Sequence, residues 1–225
     1  MNTLLKDIRY GVRSLLKHPG FTAIVILTLA VGIGASSAIF SVVNTVLLRP
    51  LPYRQAERIV VIQELDPTGK RVQVTPANFL DWRAQNTVFE QLAAILTRPA
   101  NLALADQAER LDLAMTSANF FSVFGTEPAR GRFFIPTDEQ AGHPPVVVIS
   151  HALWQRRFGG DESVIGKPLT LDGNSYTVVG IAPAGFQYPD KTDVWLPPFR
   201  LAPTMNERQD PTQVRGFGML AAVGL

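Results

Sequence analysis

The feature that most constrains this sequence is a long uncharged stretch near its start. From Phe21 to Leu48 there is no Asp, Glu, Lys or Arg, and most of the residues are apolar. A helix of about 20 apolar residues crosses the hydrocarbon core of a bilayer. No second stretch of this kind occurs in the 225 residues. The sequence therefore predicts one transmembrane helix over residues 21–48, followed by a globular body over residues 49–225.

Basic side chains precede this stretch. Lys6, Arg9, Arg13 and Lys17 fall on one helical face, while Leu and Ile side chains recur at helical spacing on another. Such a pattern is typical of a helix lying in the headgroup region, with its cations near lipid phosphates. We expect an amphipathic helix over residues 1–20 at the cytoplasmic membrane surface. A helix that packs on a protein partner has the same pattern and stays open as an alternative.

The net charge of +2 is spread unevenly. Residues 1–20 carry four Lys or Arg and one Asp, whereas residues 49–225 carry 17 basic and 18 acidic side chains. The basic excess thus lies beside the predicted span, which argues against nucleic-acid binding despite the pI of about 9.1. Basic residues before a first span favour a cytoplasmic N-terminus. We therefore expect a single-pass inner-membrane protein with its body in the periplasm.

Small and polar residues follow one face of the predicted span. This helix-packing face consists of Ala30, Gly34, Ser37, Ser41 and Asn44, which are three or four residues apart. Small residues at this spacing let a second transmembrane helix approach closely, and an Asn side chain can hydrogen-bond across the contact. Small residues are also common in membrane helices generally. The pattern nevertheless predicts that this helix packs against others.

A cleaved signal peptide is an alternative explanation of the N-terminus. Residues 35–38 are small, as at a cleavage site. Mostly apolar residues continue over 39–48, however, where a mature secreted protein normally becomes polar. A retained anchor is therefore the favoured interpretation, and a secreted hydrolase rests on the signal-like pattern alone.

In the body, short strands and short helices alternate. Helices are predicted over 77–85, capped by Thr75, and after the caps Ser117 and Ser150. Strands are predicted at a buried 59–63, at a pair through Leu102–Leu104 and Leu111–Met115, at a central 145–149, at a hairpin over 169–178, and at 194–196 and 219–223. The fold class expected is α+β, or a small βαβ-type sandwich.

No arrangement typical of an enzyme or a metal site occurs in the sequence. There is no cysteine and no Gly-Lys-Ser/Thr phosphate loop. The three histidines, His18, His143 and His151, lack ligand spacing. We therefore expect no enzymatic activity, no catalytic residue, no metal site and no cofactor.

Two further features bear on partners. Five aromatic residues form a core or, as an alternative, a ligand pocket: Phe120, Phe121, Phe124, Phe133 and Phe134. Helical spacing of three of them favours the core. The long loops 125–132 and 136–144 are candidate surfaces for a partner.

Several segments together resemble a known family. Near the N-terminus these are Asp7–Arg13, Pro19–Thr22, Leu29–Ala35 and Leu47–Tyr53. In the body they are Ser117–Phe121, Gly131–Phe134, Val148–Ser150, Trp154, Arg157–Gly160, Ile165–Lys167 and Tyr176–Ile181. In this order the segments resemble a MacB/FtsX-type ABC transporter permease, more narrowly the acidobacterial duplicated orphan permease group. The body is similar to the MacB-like periplasmic core domain.

The resemblance implies a membrane subunit without catalytic residues. Its first helix leads into a periplasmic domain, the chain returns to three further helices, and a separate or fused ATPase drives efflux or transmits force. The partners implied are the lipid bilayer, the remaining permease helices and an ABC ATPase, in a homo- or hetero-oligomer. A membrane-anchored binding or scaffolding domain that works without an ATPase is the alternative function.

The resemblance also implies that the periplasmic domain and later helices continue beyond Leu225. We therefore expect the chain to be a fragment or the product of a prematurely ended open reading frame. Its interrupted sheet should expose strand edges, with low solubility or rapid proteolysis.

Overall fold

The structure is a computed structural model that describes residues 10, 13, 15–44, 53–54, 56–103, 108–140, 142–197 and 218–225. The chain divides into two compact units, Met1–Leu51 and Pro52–Leu225.

The first unit contains a long apolar helix, α1, over Pro19–Val43. Pro19 suits the first turn, where its missing N–H has no intrahelical acceptor. At the other end the N–H of Asn44 donates to the carbonyls of Phe40 and Ser41. None of its residues is buried within the chain, and its mean hydropathy reaches 2.3. Among the described residues it alone is long and apolar enough to cross a membrane.

The predicted segments before and after α1 are described only in part. Tyr10, Arg13 and residues 15–17 are helical, which agrees with a helix before Pro19. Lys6 and Arg9 lie outside the described residues, as do residues 45–48 of the predicted span.

The second unit consists of eleven strands and three helices within the described residues. The strands are β1 (Val60–Ile62), β2 (Glu64–Leu65), β3 (Arg71–Val72), β4 (Leu92–Ala103), β5 (Ala108–Thr116), β6 (Arg130–Gly131), β7 (Val146–Ile149), β8 (Pro168–Leu171), β9 (Asn174–Ile181), β10 (Val194–Leu196) and β11 (Ala221–Gly224). The helices are α2 (Pro76–Gln85), α3 (Phe120–Val123) and α4 (His151–Phe158). Short 3₁₀ turns cover Ala56–Arg58, Pro136–Glu139 and Glu162–Val164.

Six of the strands close into a barrel. Hydrogen bonding runs from β4 through β5, β10, β7, β9 and β8 and back to β4. The closing contact pairs Leu102 with Leu171. Beside it the N–H of Asp172 donates to the Asn101 carbonyl at 2.9 Å, and the Asp172 carboxylate accepts the Asn101 N–H at 2.8 Å. A closed ring leaves no free edge among these strands.

Alternate residues of the barrel strands fill its interior. On β7, Val147 and Ile149 belong to the interior cluster, whereas Val146 and Val148 pack outside against α3. This strand is therefore buried on both faces, which confirms the central strand predicted from its Val/Ile run. Side chains of α4, including Leu153 and Trp154, join the interior cluster.

The first half of β4 extends beyond the barrel into a three-stranded wing. Here β11 lies between β4 and β1 and pairs antiparallel with both. One face of the wing, with Leu92 and Ala94, packs with Phe79 of α2. The other face, with Ala93 and Ile95, packs with α3. The remaining small sheet is the β2–β3 hairpin.

Two helix caps follow the prediction and one does not. Thr75 caps α2, with the Asn78 N–H 3.4 Å from its hydroxyl. Ser150 caps α4 by accepting the Leu153 N–H at 3.1 Å. The prediction for Ser117 was wrong, because its hydroxyl instead accepts the Ala94 N–H of β4 at 3.0 Å. Asn119 occupies the cap position of α3 and makes no side-chain capping bond.

Most predicted strands are present, with one error in burial. The β4–β5 pair, the β8–β9 hairpin, β10 and β11 are confirmed, although Leu104 lies outside the described residues. The hairpin turns at Asp172 and Gly173, both with positive φ. The predicted buried strand at 59–63 is an edge strand: Val60 and Val61 of β1 are 43% and 60% exposed. A strand with one neighbour in the sheet is covered less than a central strand.

The α+β class is confirmed at this coarse level, as an apolar helix followed by a mixed sheet with helices. The alternative of a βαβ-type sandwich was wrong, because six strands close into a barrel. Its closing pair joins residues far apart in the sequence, and no local pattern indicates that pairing.

Candidate functional site

The predicted helix-packing face lies along α1. Ala30, Gly34, Ser37, Ser41 and Asn44 are all exposed within the chain. Their spacing of three and four residues places them on one side of the helix. Exposed small residues leave the backbone accessible along this side, which is the property that close helix packing in membranes requires. The assignment of this face to helix packing stays a prediction.

Of the four predicted membrane-surface cations, the structure describes two. Arg13 and Lys17 are helical and exposed. Lys6 and Arg9 lie outside the described residues. The contact of these four side chains with lipid phosphates stays a prediction.

In the body, the five predicted aromatic residues belong to one core cluster. Phe120, Phe121, Phe124 and Phe134 are buried, and Phe133 packs against them. The rings of Phe121 and Phe133 stack 3.8 Å apart. These side chains pack against one another in a hydrophobic core. The prediction of a core is therefore confirmed, and the alternative of a ligand pocket is not.

A loop over residues 182–193, between β9 and β10, brings two more aromatic side chains to this cluster. Phe186 is 5% exposed and lies 5.4 Å from Phe121 and 5.7 Å from Trp195 between ring centroids. Tyr188 lies 4.8 Å from Phe124, and its carbonyl accepts the indole N–H of Trp195 at 3.2 Å. The 182–193 loop is therefore held at its middle by aromatic packing.

Tyr53, at the start of the body, also reaches the aromatic cluster. Its ring meets Phe124 at 5.0 Å and Phe186 at 5.6 Å, both nearly edge to face. Burial raises the pKa of its phenol, although a hydrogen bond from the backbone N–H of Gln187 opposes that rise. Tyr53 thus contacts the 182–193 loop through its ring.

Two clefts flank the 182–193 loop, and Pro183–Phe186 contributes to both. The larger, of about 390 Å³, is also lined by Asp112, His151, Arg156, Lys191 and Asp193. The smaller, of about 350 Å³, is lined by Tyr53, Arg54, Phe124–Glu127 and this same segment. Ser150 also lines the larger cleft, and its hydroxyl accepts the Leu153 N–H as the cap of α4.

Ion pairs connect the larger cleft to the barrel. Arg156 donates to Glu109 at 3.0 Å and to Asp193 at 3.1 Å, and Arg157 also donates to Glu109. Burial acts to raise the pKa of Glu109, but the bonds from Arg157 and Arg156 outweigh it and leave the pKa below its ordinary value. These charges bond to one another and fix α4 on the barrel strands.

The described residues contain no group of three or more His, Asp or Glu side chains placed to hold a metal. His151 lies in the larger cleft, with its ring 5.4 Å from that of Trp154.

The two loops predicted as partner surfaces carry internal contacts. In the described part of the 136–144 loop, Asp138 pairs with Arg132 of the 125–132 loop, and Glu139 accepts the N–H of Ala118. Their role as partner surfaces stays a prediction.

The sequence did not allow us to predict that Tyr53 packs against the 182–193 loop. The available signal was two aromatic residues, Phe186 and Tyr188, within a Pro- and Gly-containing loop. Aromatic side chains in such a loop indicate that it is anchored to a core, but their partners come from distant segments.

Several solved structures share this fold, among them the following three. The periplasmic region of MacB from Actinobacillus actinomycetemcomitans is 12% identical with a TM-score of 0.55, covering 74% of this chain and 73% of that one. The extracellular domain of the noncanonic ABC-type transporter YknZ from Gram-positive bacteria is 14% identical with a TM-score of 0.55, covering 75% and 83%. A domain assigned to a permease protein from Porphyromonas gingivalis is 18% identical with a TM-score of 0.56, covering 76% of each.

At these identities the likeness concerns the fold. A comparison with curated proteins gives no match. The sequence itself matches the family described as the MacB-like periplasmic core domain over residues 22–223, nearly the whole chain. The chain therefore belongs to the MacB-like periplasmic core domain family of MacB/FtsX-type ABC permeases, whose members are non-catalytic transporter subunits.

Proposed function

We propose that this chain is part of the membrane subunit of a MacB/FtsX-type ABC transporter and that its body couples ATPase-driven motion to efflux or to force transmission in the periplasm. In this proposal α1 is an uncleaved inner-membrane anchor with its N-terminus in the cytoplasm. A separate ABC ATPase and further permease helices complete the transporter, as a homo- or hetero-oligomer. The acidobacterial duplicated orphan permease group is the proposed subgroup.

One observation carries the proposal: the family match includes the apolar helix and the body together, over residues 22–223. A periplasmic domain joined to a long apolar helix suits a protein that works at the membrane. The basic residues before α1 and the near-neutral body support the orientation, because cytoplasmic flanks carry the Lys/Arg excess.

Reporter fusions test the orientation. An enzyme that is active only in the periplasm, fused after residue 60, should be active, and a cytoplasmic reporter at the same site should be inactive. Intact protein with residue 1 attached, resistant to alkaline washing of membranes, distinguishes an anchor from a cleaved signal. An inactive periplasmic reporter contradicts the topology.

A second experiment tests the coupling to an ATPase. The chain is co-expressed with candidate ABC ATPases and candidate permease segments from the same genome, and the assembly is purified in nanodiscs. We expect one complex whose ATP hydrolysis changes when the chain is included. Normal function in a strain lacking every such ATPase contradicts the proposal and favours the anchored binding or scaffolding domain.

A further inference from the structure

The pairing of β4 with β8, which closes the barrel and is called the seam below, is the shortest in the ring. In the part of the chain that the structure describes, the seam contains one ladder pair, Leu102 with Leu171. Each of the other five pairings contains at least two. The shortest of those five, between β10 and β7, is covered, because every residue of β10 is buried. The seam instead ends at two exposed residues, Asn101 and Asp172.

Asp172 adds bonds across the seam through its backbone and its side chain. Its N–H donates to the Asn101 carbonyl at 2.9 Å. One carboxylate oxygen accepts the Asn101 N–H at 2.8 Å, and the other accepts a guanidinium N–H of Arg98 at 2.7 Å. The Asp172 side chain therefore supplies bonds that a longer backbone ladder would otherwise provide.

The hairpin turn fixes the position of this side chain. Asp172 and Gly173 both have positive φ, at 48° and 79°, as a two-residue hairpin turn of type I′ requires. Asn or Gly at residue 172 would suit the same turn. The negative charge is therefore not needed for the turn, and its partner is Arg98 across the seam.

This carboxylate is ionised at neutral pH. Burial acts to raise the pKa of Asp172, but the bonds from Arg98 and Asn101 outweigh it and hold the pKa below its ordinary value. Hydrogen bonds that involve a charged partner are stronger than neutral ones. The side-chain bonds across the seam are therefore of the stronger kind.

The apolar interior of the barrel lies directly behind the seam. Leu102 and Leu171 are 0% and 1% exposed, and both belong to the interior cluster. Local opening in folded proteins occurs where few backbone bonds hold an element and those bonds face solvent. Separation of β4 from β8 would bring water to the interior and would free one edge of each strand.

We propose that the seam is where the barrel opens locally in the folded protein, and that Asp172 is the latch that limits this opening. Unpaired strand edges are sites of pairing with other chains. A closed latch therefore also protects the barrel from association through β4 and β8. The latch lies wholly within the body, so its action does not depend on the proposed function.

Thiol labelling tests where the barrel opens. The natural chain has no cysteine, so a cysteine placed behind the seam reports on local opening through its reaction with N-ethylmaleimide. Leu102→Cys is the probe. Leu196→Cys is the matched control, since Leu196 is 1% exposed, belongs to the same interior cluster and lies on β10, away from the seam. In the full chain in nanodiscs, we expect the thiol at residue 102 to react about ten-fold faster than the thiol at residue 196.

A glycine substitution tests the latch. Asp172→Gly keeps the positive φ and removes the carboxylate. It should raise the reaction rate at residue 102 about ten-fold and leave the rate at residue 196 unchanged. Lys191→Gly is the matched control for the flexibility that glycine adds, because Lys191 also has a positive φ, at 60°. It should change neither rate.

Three labelling results overturn the proposal: equal rates at residues 102 and 196 in the parent, no effect of Asp172→Gly at residue 102, or an equal rise at both residues. Should Leu102→Cys fail to fold, hydrogen exchange of the natural chain decides. The backbone amides of residues 98–102 and 171–172 should exchange about ten-fold faster, after correction for intrinsic rates, than those of residues 146–149 on β7. Equal protection of the two sets likewise overturns the proposal.

Discussion

Arg132 and Asp138 form a two-pronged ion pair, with guanidinium-to-carboxylate distances of 2.6 and 3.0 Å. The Asp138 side chain is only 7% exposed, and its carboxylate also accepts the Ile135 N–H at 2.9 Å. Burial acts to raise the pKa of Asp138, but the bonds from Arg132 and Ile135 outweigh it and hold the pKa below its ordinary value. The pair fixes the 3₁₀ turn beside β6.

This pair predicts a loss of stability in acid. Because the folded-state pKa of Asp138 is lowered, its contribution is complete above the unfolded-state value of roughly 4. It is lost as the pH falls below that value towards the folded-state pKa. We expect Asp138→Asn to lower the free energy of unfolding by about 1–2 kcal/mol at pH 7, since Arg132 remains partly solvated. Thermal unfolding of the full chain followed at several pH values measures this, and the difference between parent and variant should shrink at low pH. A constant difference would show that the carboxylate charge is not responsible.

The barrel interior predicts a large effect at its closing strand. Leu171 is 1% exposed and belongs to the interior cluster. Leu171→Ala should lower the free energy of unfolding by about 2–5 kcal/mol, because it leaves a cavity and removes apolar contacts. Leu65→Ala, at a position 66% exposed, is the matched control and should cost less than about 0.5 kcal/mol. Denaturant unfolding followed by tryptophan fluorescence measures the free energy of unfolding of both variants. Similar losses of stability in Leu171→Ala and Leu65→Ala would contradict the closed barrel.

Loss of the α4 cap should have a moderate effect. Ser150 is buried and its hydroxyl satisfies the Leu153 N–H. Ser150→Ala should lower the free energy of unfolding by about 1 kcal/mol. Ser122→Ala, at an exposed position of α3, controls for the loss of a hydroxyl. The same unfolding experiment measures both, and a Ser150→Ala variant as stable as the control would argue against the cap.

The helix-packing face predicts a defect in assembly without loss of insertion. Gly34→Leu places a large side chain where close approach of a second helix needs a small one. We expect less co-purification of the remaining permease segments, while the amount of washed-membrane protein stays constant. Gly32→Leu, the same change at an exposed position on the opposite side of α1, is the matched control and should assemble normally. Equal co-purification of the two variants would place the contact on a different face.

Local signals predicted most of the elements. Thr75–Pro76 and Ser150 mark helix starts through backbone requirements that depend only on neighbouring residues. Alternation at Leu111 and Leu113 predicts a half-buried strand, and Asp172-Gly173 predicts a hairpin, for the same reason. The apolar helix could be predicted equally well, from the length of the apolar stretch and its lack of charged residues.

Pairings between distant segments were not predictable in this way. The barrel depends on the contact between Leu102 and Leu171, and the exposure of β1 depends on its place at a sheet edge. The prediction that Ser117 caps a helix was wrong because its hydroxyl accepts the N–H of Ala94, a residue distant in the sequence, in place of an N–H in the first turn of α3. The attachment of Tyr53 to Phe186 is likewise long-range. The helix-packing face and the membrane-surface cations, which depend on molecules outside this chain, stay predictions.

The placement of β11 between β1 and β4 determines an order of events during synthesis. Val60–Ile62 leaves the ribosome early, yet in the described structure its only ladder is with Ala222–Gly224. The barrel strands, all within residues 92–196, are complete before that partner exists. The wing is therefore the last part of the sheet to form, and until then β1 is an apolar strand without a neighbour, the part of the nascent body most in need of protection from aggregation.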